Sequence, residues 1–165
     1  MSAHGRFFIR GNVRTFAMLV ERYNRPMSEF RFFHPIEVRY GDLDPQGHLN
    51  NAKYLTYFET ARINYFTQLG LFTPGQSFMD MGIIMADVRV TFHAPVQYGM
   101  PLKVGVRISK LGNKSMTVEQ NIAHADTEEV LASGQVILVA FDYHTNKTRP
   151  LPKVMREAIS KFEGP

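Results

Sequence analysis

The sequence predicts an α+β fold in which one long helix lies against a single curved antiparallel sheet. Three observations predict it. A three-four apolar spacing runs from Asn51 to Leu69, and no other segment carries so long a helical pattern. From Gly82 onward the pattern changes to period two, in four segments joined by short turns. Connections of hairpin length make such neighbours antiparallel. At 165 residues and 44% apolar content, the chain is long enough for one domain with a sizeable core.

Residues 1–27 differ from the remainder. They hold Arg6, Arg10, Arg14, Arg22 and Arg25 against Glu21, so they carry the whole formal net charge of +4. We expect a dispensable basic extension over 1–27, followed by a single domain over 28–165. Because the excess charge sits in the extension, no basic face for nucleic acid is expected on the domain. The chain has no cysteine, which excludes disulfides, thiolate metal sites and cysteine nucleophiles. No apolar run approaches the roughly 18 residues of a membrane span. A cytoplasmic protein with no membrane insertion is expected.

Each element has its own signal. Ile36, Val38 and Tyr40 alternate with Glu37 and Arg39, predicting a first strand over 32–40. Leu55, Phe58, Ala61, Tyr65, Phe66 and Leu69 form the apolar stripe of the long helix. Asn50 or Asn51 can cap its start and Gly70 can end it. Residues 71–81, with Pro74 and Gly75, predict a loop with at most a short helical turn. Ala86, Val88, Val90 and Phe92 then alternate with Asp87, Arg89, Thr91 and His93. Leu102, Val104, Val106 and Ile108 form the next strand, and Met116, Val118 and Ile122 the one after. The stretch 130–143 becomes apolar on both faces beyond Val136, as an interior strand does. Pro150 and Pro152 precede a short helix carrying Val154, Ala158, Ile159 and Phe162. One helix covers only part of such a sheet, so the uncovered part invites a second copy. A homodimer or a dimer-of-dimers tetramer is expected.

The reactive side chains concentrate between the first strand and the long helix, in Tyr40-Gly41-Asp42-Leu43-Asp44-Pro45-Gln46-Gly47-His48-Leu49-Asn50-Asn51. Turn chemistry alone explains Asp44-Pro45-Gln46-Gly47, which matches a type I turn. A calcium loop would need a bidentate Glu where Lys53 stands. Asp42, Asp44 and His48 lack a third carboxylate for a hard metal, so no metal is expected. No serine lies in the stretch and no G-x-S-x-G occurs, which disfavours a serine nucleophile. The fuller reading is acid–base or nucleophilic chemistry. A carboxylate beside a helix start has backbone N–H groups at hand to hold developing negative charge.

The run Val38 to Asn51, continued by Tyr54 and by Tyr57-Phe58-Glu59-Thr60-Ala61-Arg62, resembles the hotdog-fold acyl-CoA thioesterases of the 4-hydroxybenzoyl-CoA thioesterase type. Its H-x-N-N-x-x-Y element is also similar to that of acyl-carrier-protein thioesterases. Val90 to Pro95 and Leu111 to Ser115 resemble the family's later strand and turn. The resemblance implies a long helix wrapped by a five-stranded antiparallel sheet, with active sites at a dimer interface. It implies Asp44 as nucleophile or general base and the Asn51 backbone N–H as oxyanion donor. It places His48 and Asn50 among the polar positions of the site. Asp42 is expected to tie the turn together.

Tyr54 and Glu59 are expected to face substrate, although Glu59 also fits a surface ion pair with Arg62 or Lys53. Arg89, Lys110 and Lys114 are candidate contacts for the CoA phosphates. CoA would enter as part of the substrate, so no retained cofactor is expected. The polar His48-Leu49-Asn50-Asn51 run departs from the hydroxybenzoyl-type enzyme and points to straight or branched acyl groups. The alternatives are an acyl-carrier-protein thioesterase and a hotdog module that binds acyl-CoA without hydrolysing it.

Overall fold

The computed structural model describes residues 25–164, so most of the basic extension lies outside the described residues. Its last residues are tied to the sheet. Met27 is buried and packs with Phe30 and Ala123. Asn121 Nδ2 donates to the Arg25 carbonyl at 2.6 Å.

Five strands form one antiparallel sheet: β1 (Phe32–Glu37), β2 (Ile83–Phe92), β3 (Pro101–Leu111), β4 (Ser115–His124) and β5 (Val130–Asp142). Their order across the sheet is β1-β3-β4-β5-β2, and a two-residue β6 (Lys147–Thr148) pairs with the end of β5. The long helix α1 (Asn51–Gln68) lies on the sheet; α2 (Phe78–Met81) and α3 (Lys153–Glu163) are short. This is the hotdog architecture, with the core between α1 and the sheet.

The ends of α1 follow from its flanking residues. Asn50 is the N-cap, its side chain accepting from Ala52 N at 3.0 Å. At the other end Gly70 takes a φ of +70°, which lets Leu71 N reach the Phe66 carbonyl at 2.9 Å and closes the last turn.

The buried face of α1 is Tyr54, Tyr57, Phe58, Ala61, Arg62, Tyr65 and Phe66. Leu55, expected in the stripe, is 43% exposed. The tyrosines displace it because their ring bodies enter the core while their hydroxyls find partners. Tyr57 Oη, for example, donates to Asp42 Oδ2 at 2.9 Å. In α3, likewise, Val154 faces outward and Met155 takes the buried place beside Ile159.

The sheet keeps its predicted alternation on β3, where Leu102, Val104, Val106 and Ile108 are all buried. On β4 the polar Gln120 takes the slot between Val118 and Ile122 and is fully buried. Phe58 sits over β5 at Gly134, where an added Cβ would stand 2.8 Å from the ring. On β2 the register shifts between Met85 and Asp87. Ala86 is the extra residue, so it leaves the alternation expected of it. The bulge lets Ile83 and Met85, as well as Val88, Val90 and Phe92, face the helix.

β2 ends the sheet. Its Ile84, Met85, Val88 and Phe92 are 39%, 43%, 37% and 44% exposed. Among the described residues no helix is long and apolar enough to cross a membrane.

Candidate active site

The loop between β1 and α1 is built as a small hairpin. Leu43 and Leu49 form an antiparallel bridge, and Asp44 N donates to the His48 carbonyl at 2.8 Å. Gly47 N returns to the Asp44 carbonyl at 3.0 Å, with Gly47 in the left-handed region at φ +78°. Within that hairpin the Asp44 carboxylate is held from its own loop. Oδ1 accepts from Gln46 N at 2.9 Å and from His48 N at 3.1 Å. Turning the Gln46 amide nitrogen toward Asp44 adds contacts of 3.2 Å to Oδ1 and 3.3 Å to Oδ2. The turn chemistry and the aiming of Asp44 are therefore one device. Gln46 was not among the expected site residues; its place two residues after an Asp in an Asx-type turn is the signal that could have found it.

A second set of contacts fixes the hairpin to the core. Asp42 is 8% exposed. It accepts from Tyr57 Oη and from Arg39 N, and Lys53 Nζ lies 2.9 Å from its Oδ1. Burial works to raise its carboxyl pKa. The hydrogen bonds from Lys53, Tyr57 and Arg39 outweigh burial and hold it below the ordinary value. Asp42 thus ties the turn to the first turns of α1, as expected, and Lys53 pairs with it and not with Glu59.

At the start of α1 the donors are distributed unequally. Ala52 N is taken by the Asn50 side chain and Lys53 N by the Asn50 carbonyl. Among the described residues no acceptor engages Asn51 N, and Asn51 is exposed. The side chain of Asn50 is occupied as the cap. Tyr54 is buried, and burial raises its phenol pKa; the Val96 backbone opposes this, while the Asp44 charge adds to it. Asp44 and Tyr54 therefore share one electrostatic neighbourhood. His48 bridges to Gln97, which brings the 96–98 segment alongside. The structure thus gathers Asp44, His48, Asn50, Asn51 and Tyr54 at one end of α1.

The other expected residues lie elsewhere. Glu59 is exposed on α1, 4.0 Å from Arg62. Both line a cavity of about 280 Å³ whose walls are Ile63, Phe66, Met79, Met81, Ile83, Met85, Leu138 and Tyr143. Three helical turns, about 16 Å, separate Asn51 from Arg62 and return to nearly the same face. The exposed Leu55 lies between them on that face. Arg62, absent from the expected set, is a buried guanidinium that donates to Gln120 Oε1 at 3.2 Å, while Gln120 Nε2 donates to the Phe58 carbonyl at 2.7 Å. Arg89 is exposed on β2, 3.6 Å from Asp87. Lys110 and Lys114 stand at the far end of β3, roughly 30 Å along the strand from Pro101. Lys114 Nζ donates there to Thr148 Oγ1. A single chain does not bring these two lysines to the Asp44 hairpin.

One serine does contact a histidine: Ser133 Oγ lies 2.8 Å from His93 Nε2. Ser133 is only 3% exposed, and His93 Nδ1 is buried without an acceptor to orient the ring. Burial also lowers the His93 pKa. Without access or an orienting acid, this pair is a buried hydrogen bond and not a nucleophile with its base.

The fold is that of the hotdog-fold, thioesterase-like proteins. Residues 38–159 match the model of the thioesterase-like superfamily, and the chain belongs to that family. It is 26% identical over 132 residues to the acyl-CoA thioester hydrolase YbgC of Escherichia coli O157:H7, covering 77% of this chain and 94% of that protein. It is 27% identical over 135 residues to the chloroplastic acyl-acyl carrier protein thioesterase ATL2 of Arabidopsis thaliana, covering 79% and 70%. A solved thioesterase of Thermus thermophilus, complexed with coenzyme A and Zn, is 34% identical with a TM-score of 0.73 and covers 83% of this chain and 97% of that one.

Proposed function

We propose that this protein hydrolyses acyl-CoA thioesters to a carboxylic acid and free CoA, with Asp44 and the Asn51 N–H as its working groups. One observation carries the reading. A half-buried carboxylate, fixed by two backbone N–H groups, closely precedes an exposed helix-start N–H that no acceptor among the described residues engages. Asp44 takes the proton of a water that adds to the thioester carbonyl, or adds to that carbon itself to give an acyl–Asp44 anhydride that water then hydrolyses to the acid and the free carboxylate. Negative charge then develops on the carbonyl oxygen, which the Asn51 N–H receives. The C–S bond breaks, and the thiolate leaves and takes up a proton.

The acyl chain runs along α1, past Leu55, toward the cavity at Arg62 and Phe66. Met79, Met81 and Met85 in that wall suit straight or branched chains, because methionine adapts its shape. A second copy covers the exposed apolar edge at β2, forming a homodimer or a dimer of dimers. Only through that second copy do Lys110 and Lys114 have a route to the CoA phosphates.

A thiol-release screen tests the reading, using a panel of acyl-CoA substrates and the same acyl groups on acyl-carrier protein. Release from acyl-CoA supports it. Release from the carrier protein alone redirects it to an acyl-carrier-protein thioesterase, and tight acyl-CoA binding without released thiol redirects it to a binding module.

A further inference from the structure

Two large aromatic side chains stand in solvent beside the Asp44 hairpin. Tyr40 is 82% exposed and Tyr98 63% exposed, and their rings meet edge-to-face with centroids 6.3 Å apart. Both are carried by backbone that belongs to the site. Tyr40 opens the turn at Tyr40–Asp42 that ends on the buried Asp42. Tyr98 follows Gln97, the bridge partner of His48, and Leu49 N donates to the Val96 carbonyl at 2.8 Å. The platform is therefore held by the same contacts that hold Asp44.

Tyr98 also walls a groove of about 390 Å³ formed with Ile36, Glu37, Val38, Gly99, Met100 and Pro101. The groove is mainly apolar, with one carboxylate, exposed Glu37, which has no ion-pair partner among the described residues. Arg39, also exposed, adjoins Tyr40, and among the described residues no carboxylate pairs with its guanidinium.

We propose that Tyr40 and Tyr98 form the platform for the adenine of the CoA carrier, one ring stacking on the purine face while the other, nearly perpendicular to it, meets the purine edge. This rests on the acyl-CoA reading above. The chemistry of the surroundings fits that one occupant. A purine has a flat face for an exposed ring, as in other sequence-tolerant base contacts. Its exocyclic amine donates a hydrogen bond, and Glu37 accepts one. The phosphates beside the nucleoside carry negative charge, and Arg39 offers a planar guanidinium. The pantetheine arm separates the adenine from the reacting carbonyl, so its contacts belong on the rim of the hairpin and not within it. Tyr40 and Tyr98 are on that rim.

The experiment compares one acyl group on two thiols, CoA and pantetheine, with the full-length protein and its Tyr40→Ala/Tyr98→Ala variant. The ratio of kcat/KM for acyl-CoA over acyl-pantetheine is expected to fall about tenfold, through KM, because stacking on the lost rings is worth about that much. Tyr40→Phe/Tyr98→Phe keeps the faces and restores the ratio. An unchanged ratio, an equal loss on both thioesters, or a loss accompanied by a changed oligomeric state on size exclusion overturns the platform. In a further arm with the same acyl group on acyl-carrier protein, a loss confined to that carrier overturns it in favour of a protein-docking surface.

If the wild type releases no thiol from either substrate, the hydrolase reading fails. Calorimetric titration with free CoA then decides the platform by itself. Binding weakened about tenfold in the alanine variant supports it, and equal or absent binding overturns it.

Discussion

Asp42 lies on the buried side of the hairpin and Asp44 on its open side, with Leu43 between them. Asp42 meets a cation, a phenol and one backbone N–H. Asp44 meets backbone N–H groups of its own turn and, among the described residues, no cation. An ion pair ties a carboxylate down and quenches its charge, whereas N–H groups orient it and leave its charge without a cation. The same side chain, two residues apart, serves as an anchor in one place and, in the proposed mechanism, as a reagent in the other. What distinguishes them is the partner set, since both belong to one short loop.

The sharpest way to break that comparison is to remove each carboxylate in turn. Asp44→Ala is expected to lower kcat by about a hundredfold to ten-thousandfold. Its melting temperature should stay close to wild type, because only contacts internal to the turn are lost. Thiol release alongside thermal melting checks both halves, and near-full activity would sink the mechanism.

Asp42→Asn should do the reverse, with a loss of stability of roughly 1–3 kcal/mol and a smaller effect on turnover. Lys53 is 40% exposed, so solvent screens that pair, and the buried Tyr57 hydrogen bond carries more of the cost. The folded carboxyl pKa lies below its ordinary value near 3.8. The stabilisation is therefore present above that ordinary value and is lost as pH falls through the lower, folded one. Urea midpoints measured from neutral pH to about pH 3 should show the gap between wild type and Asp42→Asn closing on the acid side. A gap constant across that range would contradict the assignment.

The sequence shows the hairpin because everything in it is local. Asp44, Pro45, Gln46 and Gly47 are read from turn chemistry, and Asn50 from its place before an apolar stripe. The alternation of β3 was equally legible, since each inward residue is apolar. Arg62 and Gln120 were not, because each is buried only in answer to the other, across a sequence separation of 58 residues. Leu55 was misplaced because periodicity ranks leucine above tyrosine and cannot see the Asp42 carboxylate waiting for Tyr57. The β2 bulge hid similarly: the three-residue step from Met85 to Val88 breaks a strict alternation that the register shift restores. Lys110 and Lys114 carry the right charge for a phosphate, but charge does not say which end of a strand faces the site.

The smallest expected effect concerns Asn50, which stands between the two carboxylates in role. Its backbone N donates to the Asp42 carbonyl at 2.9 Å, and its side chain caps the helix whose first N–H is the proposed oxyanion donor. Asn50→Ala removes the cap and should cost about 1 kcal/mol, read by urea denaturation. Asn50→Asp keeps an acceptor for Ala52 N and adds negative charge at a helix N-terminus, so stability should be retained. That same charge opposes negative charge forming at the Asn51 N–H, so turnover should still fall, by about two- to fivefold. If Asn50→Asp keeps both stability and turnover, the helix start is only a structural feature, and the oxyanion must be held elsewhere. If it keeps stability and loses turnover, the uncapped donor at Asn51 belongs with Asp44 on the reactive side of the hairpin.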